Sequence, residues 1–254
     1  MKHFTTSDGL SLAYDDTGSG PAVLCLAGLT RNSRDFGPLL GPATGHVVES
    51  IRLIRLDSRG RGDSDFDPDF TNYSVAIEAR DAMELLDHLG LARVAIIGTS
   101  RGGILAMAIA AVAPERLSGV FFVDIGPDLD PVGIARILTY LGLAPPYPDL
   151  DTAAAKVAEI NRGRFPDATV SDWKTYLGYA WNETPDGLTL RYDPRLRDAF
   201  EAQMKAGVAV DLWPLFDALP DVPLALLRGA LSDVISADCA DRMEVRRPDI
   251  VRTK

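Results

Sequence analysis

A chain of 254 residues, 46% hydrophobic and 24% charged, has the balance of one globular α/β domain with an insertion and not that of a disordered or fibrous chain. Its formal charge of −10 opposes nucleic-acid backbones and anionic lipid surfaces, and no lysine–arginine cluster reverses that field locally, so neither nucleic acid nor a membrane is expected as a partner. No apolar stretch follows the charged amino terminus, and the longest apolar run, 104–113, is too short for a bilayer; we expect a soluble, cytoplasmic protein.

Cys25 and Cys239 lie far apart and read as two reduced thiols. Neither has metal-ligand spacing, and His3, His46 and His88 form no H-x-x-x-H pair, so no metal or other cofactor is expected.

In chain order, two short alternating segments around 3–6 and 10–14 flank Asp8-Gly9, a turn dipeptide, and predict an antiparallel hairpin. The unbroken apolar runs 22–26 and 51–56, each followed by a Gly-containing loop, predict buried parallel strands. From Ser74, apolar residues Val75, Ala79, Ala82, Leu86 and Leu89 recur at intervals of three and four before Gly90, which predicts an amphipathic crossover helix. A third strand over 94–97, a helix over 101–113 ended by Pro114, and a fourth strand over 120–123 continue the βαβ alternation of a parallel sheet covered on both faces.

After Gly126-Pro127 the rhythm breaks. Residues 127–212 carry helical stretches, prolines and most of the large aromatics with no clear buried strand, and read as a helical cap inserted into a core made of 1–126 and 213–254. The strand pattern returns at 223–227, a helix is expected over 237–245, and 249–252 begins one more strand.

The motif that carries chemistry is Gly98-Thr99-Ser100-Arg101-Gly102-Gly103, between the strand 94–97 and the helix that follows. A serine on so tight a strand-to-helix turn needs glycines two before and two after it, because side chains there would meet neighbouring backbone. The turn lifts the hydroxyl above the sheet, and the helix N-terminus favours negative charge on a bound carbonyl oxygen. Neither a phosphate loop nor a dinucleotide fingerprint fits, since no Gly-Lys-Ser/Thr follows and the glycine spacing differs.

On these residues the chain resembles the α/β-hydrolase superfamily over nearly its whole length and in the same element order. The resemblance implies an α/β-hydrolase fold, with a mostly parallel sheet, helices on both faces and a helical cap. It makes Ser100 the nucleophile. Residues 27–33, Ala-Gly-Leu-Thr-Arg-Asn-Ser, match the loop that supplies one oxyanion donor, so the backbone N–H groups of Leu29 and Arg101 would form the oxyanion hole. The family commonly has His-Gly where this chain has Ala27-Gly28, a change that affects loop packing more than chemistry. Residues 57–64 resemble the D-x-R-G-x-G-x-S loop and read as structural; their Arg61-Gly62-Asp63 carries no adhesion role. Asp233, after the late strand, stands at the position of the triad acid, and Asp124, ending the 120–123 strand, at the alternative one.

The triad order in this family is serine, acid, histidine, yet all three histidines precede Ser100. Each reads as a surface or packing residue. Relatives continue for roughly 30 residues beyond the strand begun at 249, by ordinary element lengths, so the sequence resembles a hydrolase truncated at its carboxyl end. Weak or absent turnover is expected, together with an uncovered strand edge open to homodimer formation. The leading expectation is a serine hydrolase of a small, largely apolar ester or lactone, its pocket lined by one or two of Trp173, Tyr176, Tyr179, Trp181 and Trp213. Epoxide hydrolysis and dehalogenation are disfavoured, since they need aspartate at position 100. The alternatives are a non-catalytic ligand-binding or interaction protein on the same scaffold, and a histidine supplied by a second subunit.

Overall fold

The computed structural model describes residues 1–41, 49–205 and 211–253. Its centre is an eight-stranded sheet in the order β1-β2-β4-β3-β5-β6-β9-β10. The opening hairpin pairs β1 (Lys2–Thr5) with β2 (Ser11–Gly18), and β2 lies antiparallel to β4 (Arg52–Leu56). From there every pairing is parallel, through β3 (Ala22–Leu26), β5 (Val94–Thr99), β6 (Leu117–Val123) and β9 (Leu224–Leu227) to β10 (Val251–Thr253).

The alternation along β3 shows why its apolar run is unbroken. Leu24 and Leu26 join the main core with α1 (Val75–His88) and α2 (Arg101–Val112), while Cys25 packs on the opposite face with Phe36 and Leu53. Both faces of the strand are covered, so both sets of side chains are apolar. Helix α1 starts where Ser74 accepts from the Ile77 N–H, and Gly90, with φ +65°, follows its end.

Between β6 and β9 lie α3 (Pro131–Leu138), α4 (Leu150–Asn161), α5 (Val170–Ala180), α6 (Leu196–Lys205) and α7 (Trp213–Asp217). This segment also contains a hairpin absent from the sequence reading, β7 (Trp181–Thr184) with β8 (Gly187–Leu190). Four-residue strands are too short for a periodic signal, and Pro185-Asp186-Gly187 was the only local sign of the turn. A small separate core of Ala153, Ala154, Leu177 and Leu188 holds α4, α5 and the hairpin together.

The inserted segment is tied to the loop after β4. The Gly62 N–H donates to the Arg191 carbonyl at 2.8 Å, the Asp193 N–H to the Gly60 carbonyl at 2.8 Å, and the Tyr73 hydroxyl to the Asp193 carboxylate at 2.5 Å. At the far edge, α8 (Ala237–Arg246) leads into β10 beside β9. Among the described residues the edge on this side is the three-residue β10, opposite the β1 edge, and β9 is paired on both sides.

Candidate active site

Ser100 sits on the turn from β5 into α2 with φ +50° and ψ −117°, a conformation that L-residues adopt only where surrounding structure enforces it. The enforcement comes from two glycines. A Cβ at Gly98 would stand 2.5 Å from the Gly103 nitrogen and 2.6 Å from the Gly102 carbonyl group, and one at Gly102 would collide with the Leu26 carbonyl of β3. The strand and helix thus approach closely enough that the intervening serine is thrust outward, half-buried.

Two peptide groups near Ser100 each have their carbonyl held by a turn. The Gly28 carbonyl accepts from the Arg31 N–H at 3.0 Å, and because a trans peptide points its C=O and N–H in opposite directions, the Leu29 N–H faces away from that turn. The Ser100 carbonyl is held inward by the Gly103 N–H at 2.9 Å, which turns the Arg101 N–H out from the head of α2. Neither amide donates to another group of the described residues. The loop is close: a Cβ at Gly28 would lie 3.7 Å from the Ser100 Cβ. Asp57 keeps it there, its buried carboxylate accepting from the Ser33 N–H at 2.7 Å and the Asp63 N–H at 2.8 Å, while burial raises its pKa.

Leu29, Ser100 and Arg101 border a cavity of about 50 Å³ whose remaining walls are Ile104, Ile125, Leu129, Ile134, Ile137, Phe200 and Val234. None of the five aromatics of which one or two were expected at the pocket lines it. Trp173 packs on Phe165 and Tyr176, Trp181 on Tyr147, and Tyr176 lies beneath the Arg31 guanidinium at 4.1 Å. Trp213 is buried against Phe216 and donates to Asp128 at 2.9 Å, and Tyr179 accepts through its carbonyl from Asn32. The aliphatic wall was legible only in part: Ile134 and Ile137 have i,i+3 spacing on α3, which marks a helix face but not what it faces.

The two candidate acids differ sharply in their surroundings. Asp233 is engaged by Arg136 in a two-pronged ion pair at 2.6 and 2.9 Å, with Arg164 at 3.8 Å. Burial alone would raise its pKa, and these guanidiniums outweigh that and hold it below the usual value. Asp124 directly follows β6 near Ser100, whose N–H donates to the Val123 carbonyl at 3.0 Å, and among the described residues it is the other non-glycine residue with positive φ, +54°. Its carboxylate accepts from the Gly229 N–H at 3.0 Å and the Ser232 hydroxyl at 2.9 Å. The Ser232 oxygen itself accepts from the N–H groups of Val234 and Ile235, so its proton is committed to Asp124.

Of the histidines, His3 lies on β1 and His88 at the end of α1 against Phe4 and Tyr14; neither lines the cavity, and His46 lies outside the described residues. Among the described residues no group of three or more His, Cys, Asp or Glu side chains could hold a metal ion, and no helix is long and apolar enough to cross a membrane.

A parallel sheet with its nucleophile-type turn after the central strand defines a class, and comparison with known proteins agrees. The profile of the alpha/beta hydrolase fold matches residues 21–196, and the chain belongs to this family. It is 30% identical over 245 residues to a 3-hydroxybutyrate-oligomer hydrolase of Cupriavidus necator, covering 92% of this chain and 82% of that protein. A 2-(acetamidomethylene)succinate hydrolase of Mesorhizobium japonicum is 25% identical, with 95% and 82% covered. Among solved structures, an alpha/beta hydrolase from Novosphingobium aromaticivorans superposes with TM-score 0.88 at 36% identity, covering 99% of this chain and 89% of that one.

Proposed function

We propose that this hydrolase-family chain works by serine chemistry on a small, largely apolar ester or lactone. Ser100 is the nucleophile, the Leu29 and Arg101 N–H groups receive the oxyanion, and Asp124, rather than Asp233, is the acid placed to orient a base, supplied by neither His3 nor His88, that takes the hydroxyl proton and returns it to the leaving alkoxide. The observation that carries the reading is the strained Ser100 at the mouth of an apolar cavity between two outward-turned amides with no partner among the described residues. Such donors, already oriented before charge develops, stabilise a tetrahedral intermediate without reorganisation. Asp124 is favoured because it neighbours Ser100 and is oriented by two donors, whereas the Asp233 carboxylate is neutralised by arginines.

Neither His3 nor His88 borders Ser100, so the hydroxyl has no imidazole from them and turnover by this chain is weak. That same observation supports a second reading, a ligand-binding protein that keeps the pocket without the chemistry. Short-chain 4-nitrophenyl esters, small lactones and a short hydroxyacid oligoester, the last suggested by the Cupriavidus relative, separate the two. Hydrolysis that Ser100→Ala abolishes, that Asp124→Asn lowers by roughly 10²-fold or more and that Asp233→Asn leaves within about twofold supports the first reading. Binding unchanged by Ser100→Ala, with no product from the wild type, supports the second.

A further inference from the structure

We infer that Glu78, on α1, is a positioning residue that locks the two oxyanion-donating segments to each other through a buried pair of arginines. The inference rests on the serine-hydrolase reading above and adds a residue that neither the motif nor the cavity contains. The Glu78 side chain is 1% exposed and lies between two guanidiniums. On one side Arg101 donates to both carboxylate oxygens, each at 2.8 Å, and to the Tyr73 carbonyl at 3.2 Å. On the other side Arg61 donates through Nη1 to Glu78 at 3.0 Å and through Nε to the Leu29 carbonyl at 2.9 Å.

The carboxylate therefore joins, by two side chains, Arg101 at the start of α2 and Leu29 of the 27–33 loop, the two residues proposed above as oxyanion donors. Arg61 also donates to the Arg59 carbonyl at 2.6 Å, while its buried Nη2 has no partner among the described residues. Two guanidiniums thus share one carboxylate away from water, and its bridging position couples their directions to each other. Peptide orientation matters steeply here, since an oxyanion donor works only within hydrogen-bond distance of where the negative oxygen forms. A packing role alone would require the volume of Glu78 but not its charge.

The test compares wild type, Glu78→Gln and Glu78→Asp, with Phe4→Ala as a destabilised control at the opposite end of α1, on Ser100-dependent hydrolysis of 4-nitrophenyl acetate. Glu78→Asp keeps the counter-charge should the amide variant fold poorly, but its shorter reach cannot bridge both arginines. Expected is a fall in kcat of about 10²-fold for Glu78→Gln and a smaller fall for Glu78→Asp, KM staying within about twofold, and an unchanged kcat for Phe4→Ala. A kcat for both Glu78 variants within threefold of wild type, or a rise from the greater bare positive charge, overturns the inference. If wild type shows no Ser100-dependent rate, it is the serine-hydrolase reading that fails. Amide hydrogen exchange then decides the positioning: faster exchange in peptides covering 27–33 and 99–103 of the Glu78 variants but not of Phe4→Ala supports the lock, and unchanged exchange refutes it.

Discussion

Gly98→Ala puts the steric account of the Ser100 turn to a quantitative test. The new methyl would stand 2.5 Å from the Gly103 nitrogen and 2.6 Å from the Gly102 carbonyl carbon and oxygen, all backbone atoms that cannot rotate away. Relief to an ordinary contact of about 3.5 Å requires the first turn of α2 to withdraw from β5 by about 1 Å. Neither side yields easily, because Gly98 is in register with both Leu26 of β3 and Phe122 of β6, and α2 is packed in the main core through Leu105, Ala106 and Ile109. Forcing a methyl into such a contact belongs at the upper end of overpacking costs, about 3 kcal/mol, or a fall in Tm of roughly 6–12 °C for a domain of this size. Gly163→Ala is the matched control, since its Cβ would meet nothing within 4 Å, and it should stay within about 0.5 kcal/mol of wild type. Denaturant titration of the three proteins measures the difference. Gly98→Ala within about 1 kcal/mol of Gly163→Ala would refute the claim that backbone crowding creates the turn.

Arg59 is fully buried and binds Asp81 at 2.6 and 2.7 Å, Asp67 at 2.5 Å and Asp8 at 3.0 Å. Arg59→Met should cost about 3–5 kcal/mol because Asp67 and Asp81 remain buried without their main counter-charge, and adding Asp67→Asn and Asp81→Asn should recover part of the loss in the same titration. Acid should also weaken the fold. Hydrogen bonds from Arg52 hold the Asp16 carboxyl below the usual carboxylate range; burial would raise Asp193, but Arg195 and Tyr73 outweigh it and hold that carboxyl low as well. A depressed folded pKa contributes stability that is fully present above the unfolded value and is lost as pH falls through the folded one. Asp57 and Asp81, raised by burial, offset part of this loss. Asp16→Asn should therefore flatten the decline in stability between about pH 5 and pH 2, and an unchanged slope would contradict the assignment.

The order of strands and helices and the turn that lifts Ser100 were legible in the chain because each follows from neighbours in sequence. Apolar runs report burial on both faces, a 3–4 spacing reports a helix, and the glycines at 98 and 102 report a crowded crossing whatever surrounds it. The β7–β8 hairpin escaped because four residues cannot establish a period. Other features depended on directions that no local pattern encodes. By its position after the late strand Asp233 takes precedence over Asp124 in sequence; that order is reversed in the proposal above because Arg136 and Arg164 reach Asp233 from the inserted segment while Gly229 and Ser232 donate to Asp124. The candidate pocket aromatics turned to one another and to arginines, leaving its wall to aliphatic residues of α2, α3 and nearby loops and to Phe200 of α6. Glu78 reads in sequence as one polar position of an amphipathic helix, and it becomes a bridge only when Arg61, from the loop after β4, and Arg101, from the first turn of α2, are folded against it. Local sterics act over a few residues and survive in the sequence, whereas charge pairing joins side chains dozens of positions apart and exists only once the chain has folded.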